Sequence, residues 1–302
     1  MAAPDSTTRL GIVGARRPAP IGRRGVVIFG LVLAAVWAAW GLGLSPAGLW
    51  PKGNGLAILR DFASAALDPA FTYEGEVPAG TTPLPWKVLD AVRRTVIFAA
   101  AGMSLALVIG FVLGVLASTS WWRREGGGAR GGGQLLRAIG GSSLFVLLRG
   151  TIALMRSVHE LLWALLLLAA LGLTPFSAVW AIAIPYGGSL AKIFSEMLDE
   201  APRDSARALR EAGASELSVF LFGLLPRAVP DMAAYAFYRF ECAVRSSAVL
   251  GFFGFPTLGY FIRIAFQNQQ YRVVWSYLWA LIAVVVLLEL WSSALRRRMV
   301  AC

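Results

Sequence analysis

The chain has 302 residues, 57% of them hydrophobic and only 15% charged, with a mean hydropathy of +0.65. That balance excludes a water-soluble surface and excludes disorder, which needs low hydrophobicity and high net charge. Two cysteines and one histidine exclude a disulfide framework and argue against a zinc site. The net charge of +11 is dispersed between apolar runs without groove-reading or base-stacking motifs, so it reads as the basic flanks of membrane spans and not as a nucleic-acid surface.

Residues 1–25 are polar, end in Arg16, Arg17, Arg23 and Arg24, and read as a cytoplasmic tail. The apolar run 26–44 that follows is long enough to span. A cleaved signal peptide is the competing reading, disfavoured by the length of the run and by Trp37 and Trp40 near its end. Residues 45–94, rich in Pro and Gly and carrying Asp61, Asp68, Glu74, Glu76 and Asp90, read as an external loop. A second span runs from about Thr95 to Ser118, where Gly102, Gly110 and Gly114 recur at helical spacing and allow close helix approach.

Between Trp121 and Arg137, four arginines surround two Gly-Gly-Gly runs. No strand precedes them and no Gly-Lys-Ser/Thr follows, so the segment is a flexible basic loop on the cytoplasmic side and not a phosphate cradle. The apolar run Leu161–Leu173 spans only if its helix extends back to about Ser157, which puts Arg149, Ala153, Arg156 and Glu160 on one stripe at its cytoplasmic end. A fourth span, about Phe176 to Phe194, contains Pro185 and predicts a kink. Residues 196–227 are polar and partly helical, and two further spans follow at about Val229–Leu250 and Val273–Ala294 before Arg296-Arg297-Arg298 and the short end 299–302. The expectation is an all-α integral membrane protein of about six spans with both termini cytoplasmic; only Arg93-Arg94 fall on the wrong side.

No catalytic constellation is present: His159 has no evident nucleophile, and Asp199-Glu200 lie in a polar loop. The informative segments are that loop and the charges within the fifth span. The loop reads Arg207-Ala208-Leu209-Arg210-Glu211-Ala212-Gly213-Ala214-Ser215, then Gly223-Leu224-Leu225-Pro226. It resembles the cytoplasmic coupling loop of the membrane subunit of binding-protein-dependent ABC importers, with Ala208, Gly213, Leu225 and Pro226 in register. It departs from that pattern at Arg207, Leu209 and Gly223. Four further stretches resemble the permease of phosphonate importers: Arg156-Ser157-Val158-His159-Glu160-Leu161-Leu162-Trp163, where His159 replaces a proline; Gly172-Leu173-Thr174-Pro175-Phe176; Lys192-Ile193-Phe194-Ser195-Glu196; and Tyr235 to Ser246, which includes Arg239, Glu241 and Arg245. After Leu250 the chain has Phe255, Pro256 and Thr257 where that family carries small residues, in a loop expected on the outer side.

The resemblance implies a type I ABC-importer fold over residues 95–298, passing phosphonate or a related phosphorus oxyanion inward across the bacterial cytoplasmic membrane by alternating access. It also implies a cytoplasmic ATP-binding subunit dimer that holds ATP and Mg, an extracytoplasmic substrate-binding protein, and a second copy of this chain, all set in membrane lipid; this chain itself holds no cofactor. On that reading Ala208, Glu211, Ala212, Gly213, Ala214, Leu225 and Pro226 face the ATPase, where the small residues allow close approach. Arg239, Glu241 and Arg245, with Arg156, His159 and Glu160, are candidates for the translocation path. For Glu241 and Arg245, four apart, a structural ion pair remains the other reading. A secondary transporter or anion channel is the rival class, since it needs no cytoplasmic lever.

Overall fold

Every regular element among the described residues is a helix, as expected where the surroundings offer backbone groups no water. The computed structural model describes residues 23–45, 48, 51, 53–75, 78, 80–122 and 133–300. Most of the expected N-terminal tail and of the Gly-rich basic loop lies outside these residues. In order, the helices are α1 (Arg23–Gly41), α2 (Gly55–Ala65), α3 (Leu84–Ala117), α4 (Thr119–Trp122), α5 (Gly133–Ser157), α6 (Glu160–Leu171), α7 (Pro175–Glu200), α8 (Asp204–Glu211) and α9 (Glu216–Ser218). A π-helical turn (Val219–Leu224) then leads into α10 (Leu225–Leu250), and a 3-10 turn (Gly251–Phe253), α11 (Leu258–Gln267) and α12 (Tyr271–Val300) complete the chain.

The chain divides at Arg60 into two units. In the first, α1 exposes almost its whole apolar circumference, as a lipid-facing span does. The second begins within α2, so the segment expected as an external loop is helical in two places: α2 itself, and the first turns of α3, which starts at Leu84 behind Pro83 with Pro85 in its first turn. Asp90 on that early turn accepts hydrogen bonds from Arg93 (2.9 Å) and Arg94 (2.7 Å). The arginine pair that contradicted the charge rule is thereby offset by a local carboxylate.

Among the described residues, four helical stretches are long and apolar enough to cross a membrane, Arg24–Gly41, Leu84–Ala117, Glu216–Phe253 and Tyr271–Leu295, and a fifth arises if the bent pair α5 and α6 forms one span. The expected fourth span, α7, is not one of them. Its 26 residues suffice in length, but it carries Pro185, Tyr186, Gly187, Gly188 and Ser189, a composition suited to cover by other helices. It packs against α3, α5, α6 and α10 and contributes more buried residues to the largest core cluster than any other helix. The helix runs on through Pro185; the sharp bend, 93°, lies at Val158-His159 between α5 and α6.

The glycine face of α3 sets the central packing. A Cβ on Gly102 would lie 2.8 Å from Ile182, one on Gly110 2.5 Å from the Cβ of Leu190, and one on Gly114 2.9 Å from that of Phe194, so no larger residue fits without moving α3 off α7. At the other end of the bundle, residues 62–75 strap onto α12: Trp279 and Trp275 donate to the carbonyls of Ala66 (3.0 Å) and Phe62 (2.7 Å), and Arg272 pairs with Asp68 (2.9 Å).

Candidate functional site

The coupling segment is shaped by a helix end. Helix α8 stops at Glu211, and Gly213 takes φ +82°, the left-handed conformation that L side chains resist. Gly213 N donates to Arg210 O (2.9 Å) and Ala214 N to Leu209 O (3.0 Å), the paired bonds of a Schellman cap. Arg210 closes the turn by donating through Nε and Nη2 to Glu216 at 3.2 Å. Apart from its two chain neighbours, no described residue lies within 4 Å of a Cβ built on Gly213, so among these residues glycine is required there for handedness and not for close approach.

The close approach in this segment is elsewhere. A Cβ on Gly223 would meet the backbone of Ala206 at 3.1 Å, seating α8 on the π-helical turn. Ala206 and Gly223 are buried, whereas Ala208, Glu211, Ala212, Gly213 and Pro226 are exposed and Ala214 and Leu225 are half-buried. Further along the chain Leu217, Leu221 and Phe222 are also exposed, the last at 73%. Nothing in an apolar sequence marks these three side chains as different from lipid-facing residues.

The candidate path residues divide. Glu160, at the start of α6, accepts a hydrogen bond from Ser246 of α10 at 2.7 Å, and the Ser246 hydroxyl is also bonded to that of Tyr186 on α7 at 2.8 Å. The Arg239 guanidinium lies over the rings of Tyr186 (5.4 Å) and Tyr235 (5.6 Å), and its Nε donates to the Tyr235 hydroxyl at 3.0 Å. No carboxylate pairs with Arg239 among the described residues. Aromatic faces hold a cation without neutralising it, so Arg239 keeps its charge inside the helical bundle. Arg245 by contrast pairs with Glu241 at 3.2 Å, as the spacing of four predicted.

The expected stripe of Arg149, Ala153, Arg156 and Glu160 does not form, because the 93° bend turns Glu160 away onto α6. His159 caps α6: its Nδ1 accepts from Leu161 N at 3.3 Å, and its φ of −64° is one a proline would adopt. Arg156 is exposed, with its Cγ beside Gly188. Neither residue joins the cluster around Arg239.

Arg227, Asp231, Tyr238 and Arg245 recur at intervals of four and seven and are all exposed, forming a polar stripe along α10. Toward the start of α10 the stripe borders a cleft of about 610 Å³, lined by Met197 and Glu200 of α7 and by Arg227, Asp231, Tyr235 and Tyr238. At the other end of α10, Phe255 and Thr257 are buried: the Phe255 ring packs edge-on against Phe98 and the Thr257 hydroxyl donates to Ala248 O at 3.2 Å. Two of the three residues that depart from the small-residue pattern thus pack the loop against its own bundle.

A helical bundle with one central helix, a projecting capped helix and a polar stripe along one span defines a membrane permease domain. The chain belongs to the family of inner membrane components of binding-protein-dependent transport systems, whose model matches residues 135–301. It is 28% identical over 275 residues to the phosphite transport system permease protein PtxC of Stutzerimonas stutzeri, covering 90% of this chain and 86% of that one. It is 29% identical over 152 residues to the phosphate-import permease protein PhnE of Mycolicibacterium smegmatis, covering 50% of this chain and 29% of that protein. The inward-facing MetNI methionine ABC transporter superposes with a TM-score of 0.58 at 21% identity, over 72% of this chain and 99% of the matched one. This likeness shows the fold, that of a type I ABC importer permease.

Proposed function

We propose that this chain forms the membrane path of an ATP-driven importer for a phosphorus oxyanion, phosphonate, phosphite or phosphate. The carrying observation is Arg239, a guanidinium inside the bundle that is held by two tyrosines and matched by no carboxylate among the described residues. An intramembrane charge is costly unless it is paired or wet, and an anion in transit supplies the pairing. Relatives named for phosphite and for phosphate support the same ligand chemistry.

The polar stripe of α10 is open within one chain. Lipid is a poor cover for Arg227 and Asp231, so a second copy of the chain closes the stripe into a cavity. Exposed small residues around Gly213 receive a cytoplasmic ATP-binding subunit that carries ATP and Mg; one coupling segment per chain suits a dimeric ATPase. A binding protein delivers the oxyanion on the extracytoplasmic side. In this reading both termini, the Gly-rich loop and the Gly213 segment face the cytoplasm.

The test is reconstitution of the complex purified from its native membrane through a tag on this chain. Vesicles supplied with the cognate binding protein should accumulate labelled phosphite or phosphate only with ATP on the cytoplasmic side, and an uncoupler should leave uptake unchanged. Uptake without ATP that an uncoupler abolishes would refute the reading in favour of a secondary transporter.

A further inference from the structure

Asp199 and Glu200 are adjacent in sequence and opposite in circumstance. Glu200 is exposed and borders the cleft, whereas the Asp199 side chain is only 18% exposed. Its Oδ1 accepts from Ser118 Oγ at 2.7 Å and from Ser120 N at 3.3 Å, both just past the end of α3. Its Oδ2 lies 3.8 Å from Nη2 of Arg149 on α5, and the same nitrogen donates to Ala117 O at 3.1 Å, the last carbonyl of α3. The Asp199 carbonyl accepts from Arg203, the residue that precedes α8, at 3.5 Å. One carboxylate therefore ties the C-terminal ends of α3 and α7 to the body of α5 where α8 branches off.

We infer that Asp199 is the positioning residue through which movement of α8 reaches α3 and α5. The inference rests on the proposed coupling to an ATPase. Helix α8 has two routes into the spans: its seat against Gly223 leads into α10, and residues 201–203 lead back to the last turn of α7. A single helical end pulled from outside bends locally unless neighbours hold it. The Ser118 hydroxyl is fully buried and Arg149 is half-buried, so both depend on Asp199 for an acceptor and a counter-charge. With the tie intact α3, α5 and α7 move together at this point; without it α7 absorbs the displacement.

The experiment measures phosphite transported per ATP hydrolysed in the reconstituted complex. For Asp199→Ala at normal membrane abundance and with the ATPase bound, hydrolysis should persist while the ratio falls about tenfold, the scale of a lost hydrogen bond to a charged group. Asp199→Asn keeps an acceptor oxygen for Ser118 but not the charge for Arg149, and should fall between. A purely structural role predicts lower abundance with an unchanged ratio. An unchanged ratio in Asp199→Asn and Asp199→Ala overturns the inference, and Asp199→Asn decides alone if the alanine variant does not accumulate. A wild-type complex without ATP-dependent uptake overturns the functional reading itself, which separates the two failures.

Discussion

A Cβ on Gly223 would lie 3.1 Å from the Cα of Ala206, closer than ordinary van der Waals contact, and this contact sets where α8 sits. Gly223 is one of the positions where the resemblance to the coupling loop departs, so the glycine reads in the sequence as a weakened match. In the structure it is the contact that docks the helix. Substituting Gly223→Val would push α8 off the π-helical turn, at about 1–3 kcal/mol for overpacking. Limited proteolysis of the purified protein should then cut within residues 201–224 faster than in the wild type, and equal cutting would show that the contact is not needed.

At Gly213 the expected order of substitutions tests handedness against size. Asparagine tolerates the left-handed region better than alanine, for which it costs about 1–2 kcal/mol. Gly213→Asn should therefore retain more transport than Gly213→Ala, although its side chain is larger. If close approach by the partner governs this position, the order reverses. ATP-driven uptake by the two variants at matched abundance distinguishes them.

Substitution at Gly110 addresses the frame and not the lever. Gly110→Ala places a methyl 2.5 Å from the Leu190 Cβ and 3.2 Å from Gly187 O, backbone and side chain that cannot both yield without parting α3 from α7. A loss of about 1–3 kcal/mol is expected from overpacking, read as a lower midpoint of thermal unfolding in detergent. At Gly150, where no described residue beyond its chain neighbours and its own helix backbone lies within 4 Å, the same substitution should not lower the midpoint.

The glycine face of α3 was legible because small residues at helical spacing directly record a close approach. The pairing of Glu241 with Arg245 was legible for the same reason, as a contact within one helix. Glu160, Tyr186 and Ser246 were not, since the contacts joining them cross 60 and 86 positions and each looks like an isolated polar residue in an apolar run. The charges between Arg156 and Glu160 did mark an irregularity, but sequence alone reads a helix end and a sharp bend alike. Asp199 and Glu200 show the same limit: two neighbouring carboxylates in a polar segment carry no sign of which is buried.

The intramembrane charges of α10 give the sharpest separation of transport from assembly. Arg239 is held by Tyr186 and Tyr235 and pairs with no carboxylate among the described residues, so Arg239→Gln removes a charge and leaves no ion-pair partner stranded. Abundance should stay near wild type while phosphite or phosphate uptake falls about tenfold, the scale of one charge-assisted hydrogen bond to the passing anion. Arg239→Lys keeps the charge but loses the planar stacking, and should retain part of the uptake. The pair Glu241 and Arg245 behaves differently, because their side chains are 12% and 54% exposed. Removing Arg245 strands the more buried Glu241 carboxylate, whereas removing Glu241 leaves an arginine that reaches solvent. Arg245→Gln should therefore lower membrane abundance more than Glu241→Gln. Quantifying both variants by immunoblot of membranes, beside uptake by Arg239→Gln, tests the assignment. Normal uptake in Arg239→Gln at normal abundance would remove Arg239 from the path, and lower abundance in Glu241→Gln than in Arg245→Gln would reverse the roles within the pair.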